Sequence, residues 1–120
     1  MYASVRRYKM GAGSLDSLAH RVDAEFAPAL AQQPGFIAYF LMDTGDETLE
    51  SISIFREKSS ADVSEELAAE YVSENLAEFE PARTDATTGE VLVSRATPEA
   101  LEEAHRWRSG RVRLRQSSAK

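Results

Sequence analysis

Residues 36–42, "FIAYFLM", run without a charge, and the phenol of Tyr39 is their one hydroxyl. A strand in a small antiparallel domain normally alternates, with one face to the core and one to water. A run apolar at every position reads as a strand covered on both faces. It predicts that something other than the two expected helices covers one side of this strand.

The rest of the chain is easier to pattern. "YASVRRYK" (residues 2–9) is short, aromatic and β-branched, and it stops at the breaker cluster "GAGS", which predicts a first strand. Ser14 stands where a helix N-cap would. Leu15, Leu18, Ala19, Val22, Phe26 and Leu30 then recur at helical spacing. Pro28 is expected to kink or end the regular part, and Pro34-Gly35 to terminate it. The apolar strand follows, then "TGDE" as a hairpin turn and "TLESISIFR" as the antiparallel partner. In that partner Ile52 and Ile54 share a face with Glu50, while Leu49, Ser51, Ser53 and Phe55 share the other.

"EKSSAD" predicts a second helix start with Ser59 or Ser60 as its cap. Val63, Leu67, Ala68, Tyr71, Val72, Leu76 and Phe79 give it an apolar stripe, and Pro81 closes it. After a polar loop, "TGEVLVSRA" predicts the last strand, centred on Val91, Leu92 and Val93. The order β-α-β-β-α-β predicts an α+β, ferredoxin-like fold: a four-stranded antiparallel sheet with two helices on one face.

That fold leaves one face of the sheet bare. Strict alternation puts Phe36, Ala38, Phe40 and Met42 on one side and Ile37, Tyr39 and Leu41 on the other. Each large side chain left in water forgoes ~1.5–3 kcal/mol of burial, and large apolar patches are rare on monomers. Two covers are conceivable: a second copy of the chain, or residues 97–120 folded back. That tail offers Leu101, Trp107, Val112 and Leu114 as its large apolar residues, too few for the task. A homodimer packed sheet to sheet is therefore expected.

The element order over residues 2–96, the "PGF" before the second strand and the closing "TGEVLVSRA" resemble the dimeric α+β barrel proteins, and within them the antibiotic-biosynthesis-monooxygenase-like group. The resemblance implies two sheets pairing into a barrel and a small-molecule cavity between sheet and helices. It also implies, as one option, cofactor-independent oxygenation of an aromatic compound; the other is a non-catalytic binding or structural dimer. Haem-degrading members use Asn, Trp and His, and polyketide-oxidising members use Asn, Trp and Arg. Here the first strand has no Asn, the single Trp107 lies in the tail, and the second helix has no His. Those mechanisms do not carry over residue by residue, and no cofactor is expected.

Composition narrows the partners. At 120 residues, 42% hydrophobic and 28% charged, the chain suits a single domain. We expect residues 1–96 to form it, with residues 97–120 as an extension that forms a short helix and basic strand or frays. There is no cysteine, which excludes disulfides and thiolate chemistry, and with two histidines at unrelated positions no metal site is expected. Residues 1–96 carry 8 Lys and Arg against 17 Asp and Glu, while residues 97–120 carry 6 against 3. So acidic a body is not expected to bind nucleic acid or an anionic membrane. No leader-like or ~20-residue apolar stretch stands out, so a cytoplasmic setting is expected. Glu66, Glu70, Glu74 and Glu78 form a ridge. The basic tail, read as helix "PEALEEAHRWRS" and strand "GRVRLRQ", either latches onto an acidic surface or frays.

Candidate chemistry is sparse. His20 is either a proton shuttle at the helix–sheet pocket or a partly exposed helical residue. Arg6 and Arg7 lie on opposite faces of their strand, so at least one must point inward or towards the dimer seam; it pairs with Glu50 or Glu90, or anchors an acidic substrate. Arg6 and His20 are the candidate catalytic groups. Ser51 and Ser53 need partners on a buried face: a ligand, Tyr71 or water. Tyr39 and Tyr71, with Phe26 and Phe40, could line a cavity for a small aromatic ligand or be plain core.

Overall fold

The computed structural model describes residues 1–99. Strands β1 (Tyr2–Lys9), β2 (Phe36–Gly45), β3 (Thr48–Phe55) and β4 (Ala82–Glu90) form one antiparallel sheet in the order β2-β3-β1-β4. Helices α1 (Leu15–Arg21), α2 (Ala27–Ala31) and α3 (Lys58–Asn75) lie on one face, giving the expected ferredoxin-like fold. The predicted third helix beyond Pro98 and Glu99, the whole of the basic strand and the latch built on them lie outside the described residues.

Ser14 caps α1 as its sequence position suggests: its backbone is extended and its hydroxyl accepts from Ser17 N–H at 3.1 Å. Pro28 does not end the first helical unit. A π-helical turn over Val22–Phe26 joins α1 to α2, and Pro28 sits in the first turn of α2. The wider turn takes up the missing N–H and the ring that would otherwise break the helix. Leu18, Val22, Phe26 and Leu30 remain buried along one stripe.

Three expectations need correction. Strict alternation fails in β2, where the register against β3 shifts between Phe36 and Ala38. This bulge turns Phe36 to the helix side, opposite Phe55, while Tyr39 and Leu41 also face the helices, opposite Ser53 and Ser51. Ala38, Phe40 and Met42 form the outward set. Second, α3 begins at Lys58 with Glu57 in the cap position and no side-chain cap bond; Ser59 and Ser60 are already helical. Third, β4 is the polar "ARTDATTGE" segment, not "TGEVLVSRA". As an edge strand bonded only to β1 it is exposed along most of its length, so polar residues suit it. Val91 adds one further bond, from its N–H to the Met1 carbonyl at 2.9 Å. Leu92 and Val93 are left 85% and 81% exposed.

The sheet therefore has two unlike faces. Towards the helices, buried Ser4, Arg6, Leu49, Ser51, Ser53 and Phe55 meet Leu18, Phe26, Ala61, Ala68 and Leu76. On the open side, cross-strand rows read Ala38–Ile54–Ala3–Gly89, Phe40–Ile52–Val5–Thr87 and Met42–Glu50–Arg7–Asp85. Only the last row carries charge, and there Arg7 donates to Glu50 at 2.8 Å. Among the described residues, no element packs over the two apolar rows.

Candidate functional site

A cavity of about 40 Å3 lies between the sheet and the helices. The sheet contributes Arg6, Tyr8, Tyr39, Leu41, Leu49 and Ser51, and the helices contribute chiefly Leu18, Val22, Phe26, Ala68, Tyr71, Val72 and Leu76. One water requires roughly 10–15 Å3 of such space, so the cavity admits a group of a few heavy atoms. Pockets that enclose drug-sized ligands run to about 300–1,000 Å3. Beside it is an open groove of about 450 Å3, lined by Ala69, Ser73, Ala77, Glu80 and Arg83. Tyr8, Val72 and Pro81 line both spaces, so a single layer of side chains divides them.

Arg6 is the centre of the polar chemistry. It is 1% exposed, held mid-strand between β3 and β4 with its side chain under α3. Its Nη2 donates to Ser53 Oγ at 2.9 Å. Its Nη1 stands 3.6 Å from Glu65 Oε2, too long for a hydrogen bond, while Glu65 Oε1 accepts from Arg83 Nη1 at 3.0 Å. Among the described residues, Arg6 Nε, Arg6 Nη1 and the Ser51 hydroxyl find no hydrogen-bond partner. Neither Glu50 nor Glu90 pairs with Arg6: Glu50 pairs with Arg7 on the opposite face.

The aromatic wall is a packed set. Tyr39 meets Phe26 edge-on at 5.6 Å, and Phe26 and Tyr71 lie tilted at 5.3 Å. Tyr71 Oη donates to Glu25 Oε1 at 2.7 Å, with the Arg21 carbonyl oxygen 3.2 Å away. Burial raises the phenol pKa of Tyr39 well above its ordinary value, against the opposing charge of Arg6. Burial and then the Glu25 carboxylate raise that of Tyr71. Tyr8 is raised by burial too, with Arg6 and Arg83 opposing. These phenols act as hydrogen-bond donors, not as bases.

The cavity thus brings together Arg6, Tyr39, Ser51 and Tyr71. Ser53 does not line it; its hydroxyl holds Arg6. His20 is exposed on α1 and does not line it, and Phe40 faces the open side. Sequence reasoning missed Glu65 and Arg83. Glu65 follows Ala61 by four residues and precedes Ala68 by three, on the small-residue stripe that α3 buries, a signal that could have found it. Arg83 was hidden because its strand reads as a polar loop. The glutamate ridge is exposed, and Glu78 accepts from Arg21 at 3.0 Å.

No protein-family model and no curated protein matches the sequence. Solved structures do match its fold. An antibiotic biosynthesis monooxygenase, so named as a putative one, from Chloroflexus aurantiacus superposes with a TM-score of 0.59 at 12% identity, covering 79% of this chain and 96% of that one. SnoaB of Streptomyces nogalater, described as a cofactor-independent oxygenase, gives 0.52 at 18% identity over 81% and 96%. A dimeric ferredoxin-like protein from an uncultured marine organism gives 0.59 at 10% identity over 80% and 98%. At these identities the likeness establishes the fold: this chain is built like the antibiotic-biosynthesis-monooxygenase-like and dimeric ferredoxin-like proteins.

Proposed function

We propose that two copies of this chain pair through their open sheet faces into a dimeric α+β barrel, and that each copy binds a small organic molecule between sheet and helices. The observation that carries this reading is the two-sidedness of the sheet. One face is closed by helices over a cavity with unsatisfied polar groups; the other presents Val5, Phe40, Ile52 and Ile54 with no element over them among the described residues. The dimeric ferredoxin-like neighbour is consistent with the pairing.

In this reading Arg6 and Ser51 hold the polar end of the ligand and Tyr39 and Tyr71 form its aromatic wall. Ser53 positions Arg6. His20 has no part in binding, because it does not reach the cavity. The cavity is too small for a fused-ring aromatic as it stands, so a larger body must occupy the adjoining groove.

A second reading, cofactor-independent oxygenation of an aromatic compound, is favoured by the likeness to SnoaB. Fold alone does not confer that activity. Titration of the protein with a panel of small aromatic acids, phenols and amides, followed by amide NMR and an oxygen electrode, tests both. Shifts at Tyr39, Ser51 and Tyr71 without oxygen uptake support binding alone, oxygen uptake establishes the second reading, and no shift at all removes both.

A further inference from the structure

Arg6 is a buried ion whose hydrogen-bonding capacity is only partly used. A guanidinium offers five N–H donors, and this one, 1% exposed, spends Nη2 on Ser53 and leaves Nε and Nη1 without acceptors among the described residues. A buried donor left unsatisfied is costly, and more so on a charged group. The carboxylate that pairs with it among the described residues, Glu65, is shared. Its Oε1 is committed to Arg83, and its Oε2 stands off Arg6 at 3.6 Å. Two guanidiniums therefore face one carboxylate, and the cluster is one negative charge short.

The missing charge has a place to sit. Arg6 and Ser51 both line the cavity, and the Ser51 hydroxyl is a second buried polar group with no partner among the described residues. The cavity's volume of about 40 Å3 suits a head group of a few heavy atoms, and Leu18, Val22 and Leu49 give the rest of it an apolar lining. Deepening the binding reading above, on which it rests, we propose that the ligand is an organic monocarboxylate. Its carboxylate enters the cavity to accept from Arg6 Nε and Nη1 and from the Ser51 hydroxyl, and its apolar body extends past Tyr8, Val72 and Pro81 into the groove. Arginine suits this task because its planar fork matches two carboxylate oxygens. Glu80 and Arg83 line the groove together, so the body that lies there gains no net charge attraction from them.

The test is calorimetric titration of the full chain with phenylacetate, phenylacetamide and acetate. Phenylacetate is expected to bind about tenfold or more tighter than phenylacetamide, since the charge-assisted bonds are lost in the amide. Glu65→Gln, which removes the competing carboxylate from a partly exposed position, is expected to tighten phenylacetate by about threefold. Ser51→Ala is expected to weaken it, and Arg6→Met to abolish the preference for acid over amide. Should Arg6→Met fail to fold, the Glu65 and Ser51 variants still decide. Equal binding of acid and amide, or no tightening in Glu65→Gln, would overturn the carboxylate assignment while leaving pocket binding intact. Binding of none of the three probes would overturn both.

Discussion

Arg6 Nη2 donates to Ser53 Oγ at 2.9 Å, two neighbouring strands joined by a bond that both side chains make in full burial. From sequence Ser53 needs a partner on a buried face, a ligand, Tyr71 or water; the partner it has is the guanidinium that borders the cavity. Ser53→Ala should therefore lower stability by about 1–3 kcal/mol, because Nη2 loses its acceptor without gaining water. Urea unfolding monitored by far-UV circular dichroism measures this. Ser51→Ala removes an unpartnered hydroxyl instead and should cost less.

The start of α3 is under-capped. Glu57 has the extended backbone of an N-cap but makes no side-chain bond to the first turn. Shortening it, Glu57→Asp, places a carboxylate within reach of those amides and should add about 1 kcal/mol. The same unfolding experiment reads it, with the midpoint rising at unchanged slope.

Gly13 is required by both space and backbone. Its φ is +77°, and an added Cβ would stand 2.6 Å from Phe79 Cδ1. Phe79 is buried in the core, so the ring has little room to swing clear. Gly13→Ala should cost about 2 kcal/mol or more, combining left-handed strain with overpacking; thermal unfolding followed by near-UV circular dichroism checks it.

These residues also show where the sequence was legible. Ser14 as a cap, the stripe through Leu18, Val22 and Phe26, and the alternation in β3 each depend on local periodicity, and each is realised. Local pattern failed where a neighbour decided the outcome. One bulge residue reverses the face of Phe36, which no period-2 rule contains. The polar β4 is a strand because β1 supplies its ladder, while Val91, Leu92 and Val93 looked like strand centre because they are apolar. In the site, Arg6, Tyr39, Ser51 and Tyr71 could be picked out by asking which polar groups fall on buried faces. Glu65 could have been found on the buried stripe of α3, but its partner Arg83 could not, since it sits on a strand read as a loop.

Alkaline pH should destabilise the fold through its phenols. Tyr39 and Tyr71 have pKa values raised above the ordinary 10.0 in the folded state. Between that value and the higher folded one, the unfolded chain loses protons that the folded chain keeps. The phenols' contribution is thus fully present below about pH 10 and is lost as pH rises further. Tyr39→Phe should flatten the fall in unfolding midpoint above about pH 10; an unchanged slope would show that Tyr39 is not buried as described.

The open face makes the strongest demand. Ile52 lies between Phe40 and Val5 in the central apolar row, so Ile52→Glu would bury an unpaired carboxylate in any face-to-face dimer. It should raise the dimer dissociation constant by about a hundredfold or more while leaving the helix-side core intact, as sedimentation velocity and circular dichroism together would show.

Sedimentation equilibrium of the unmodified full chain tests the central claim most directly. The two-faced sheet predicts a species of twice the 13.3 kDa chain mass that persists at low micromolar concentration. A single species at 13.3 kDa across that range would contradict it.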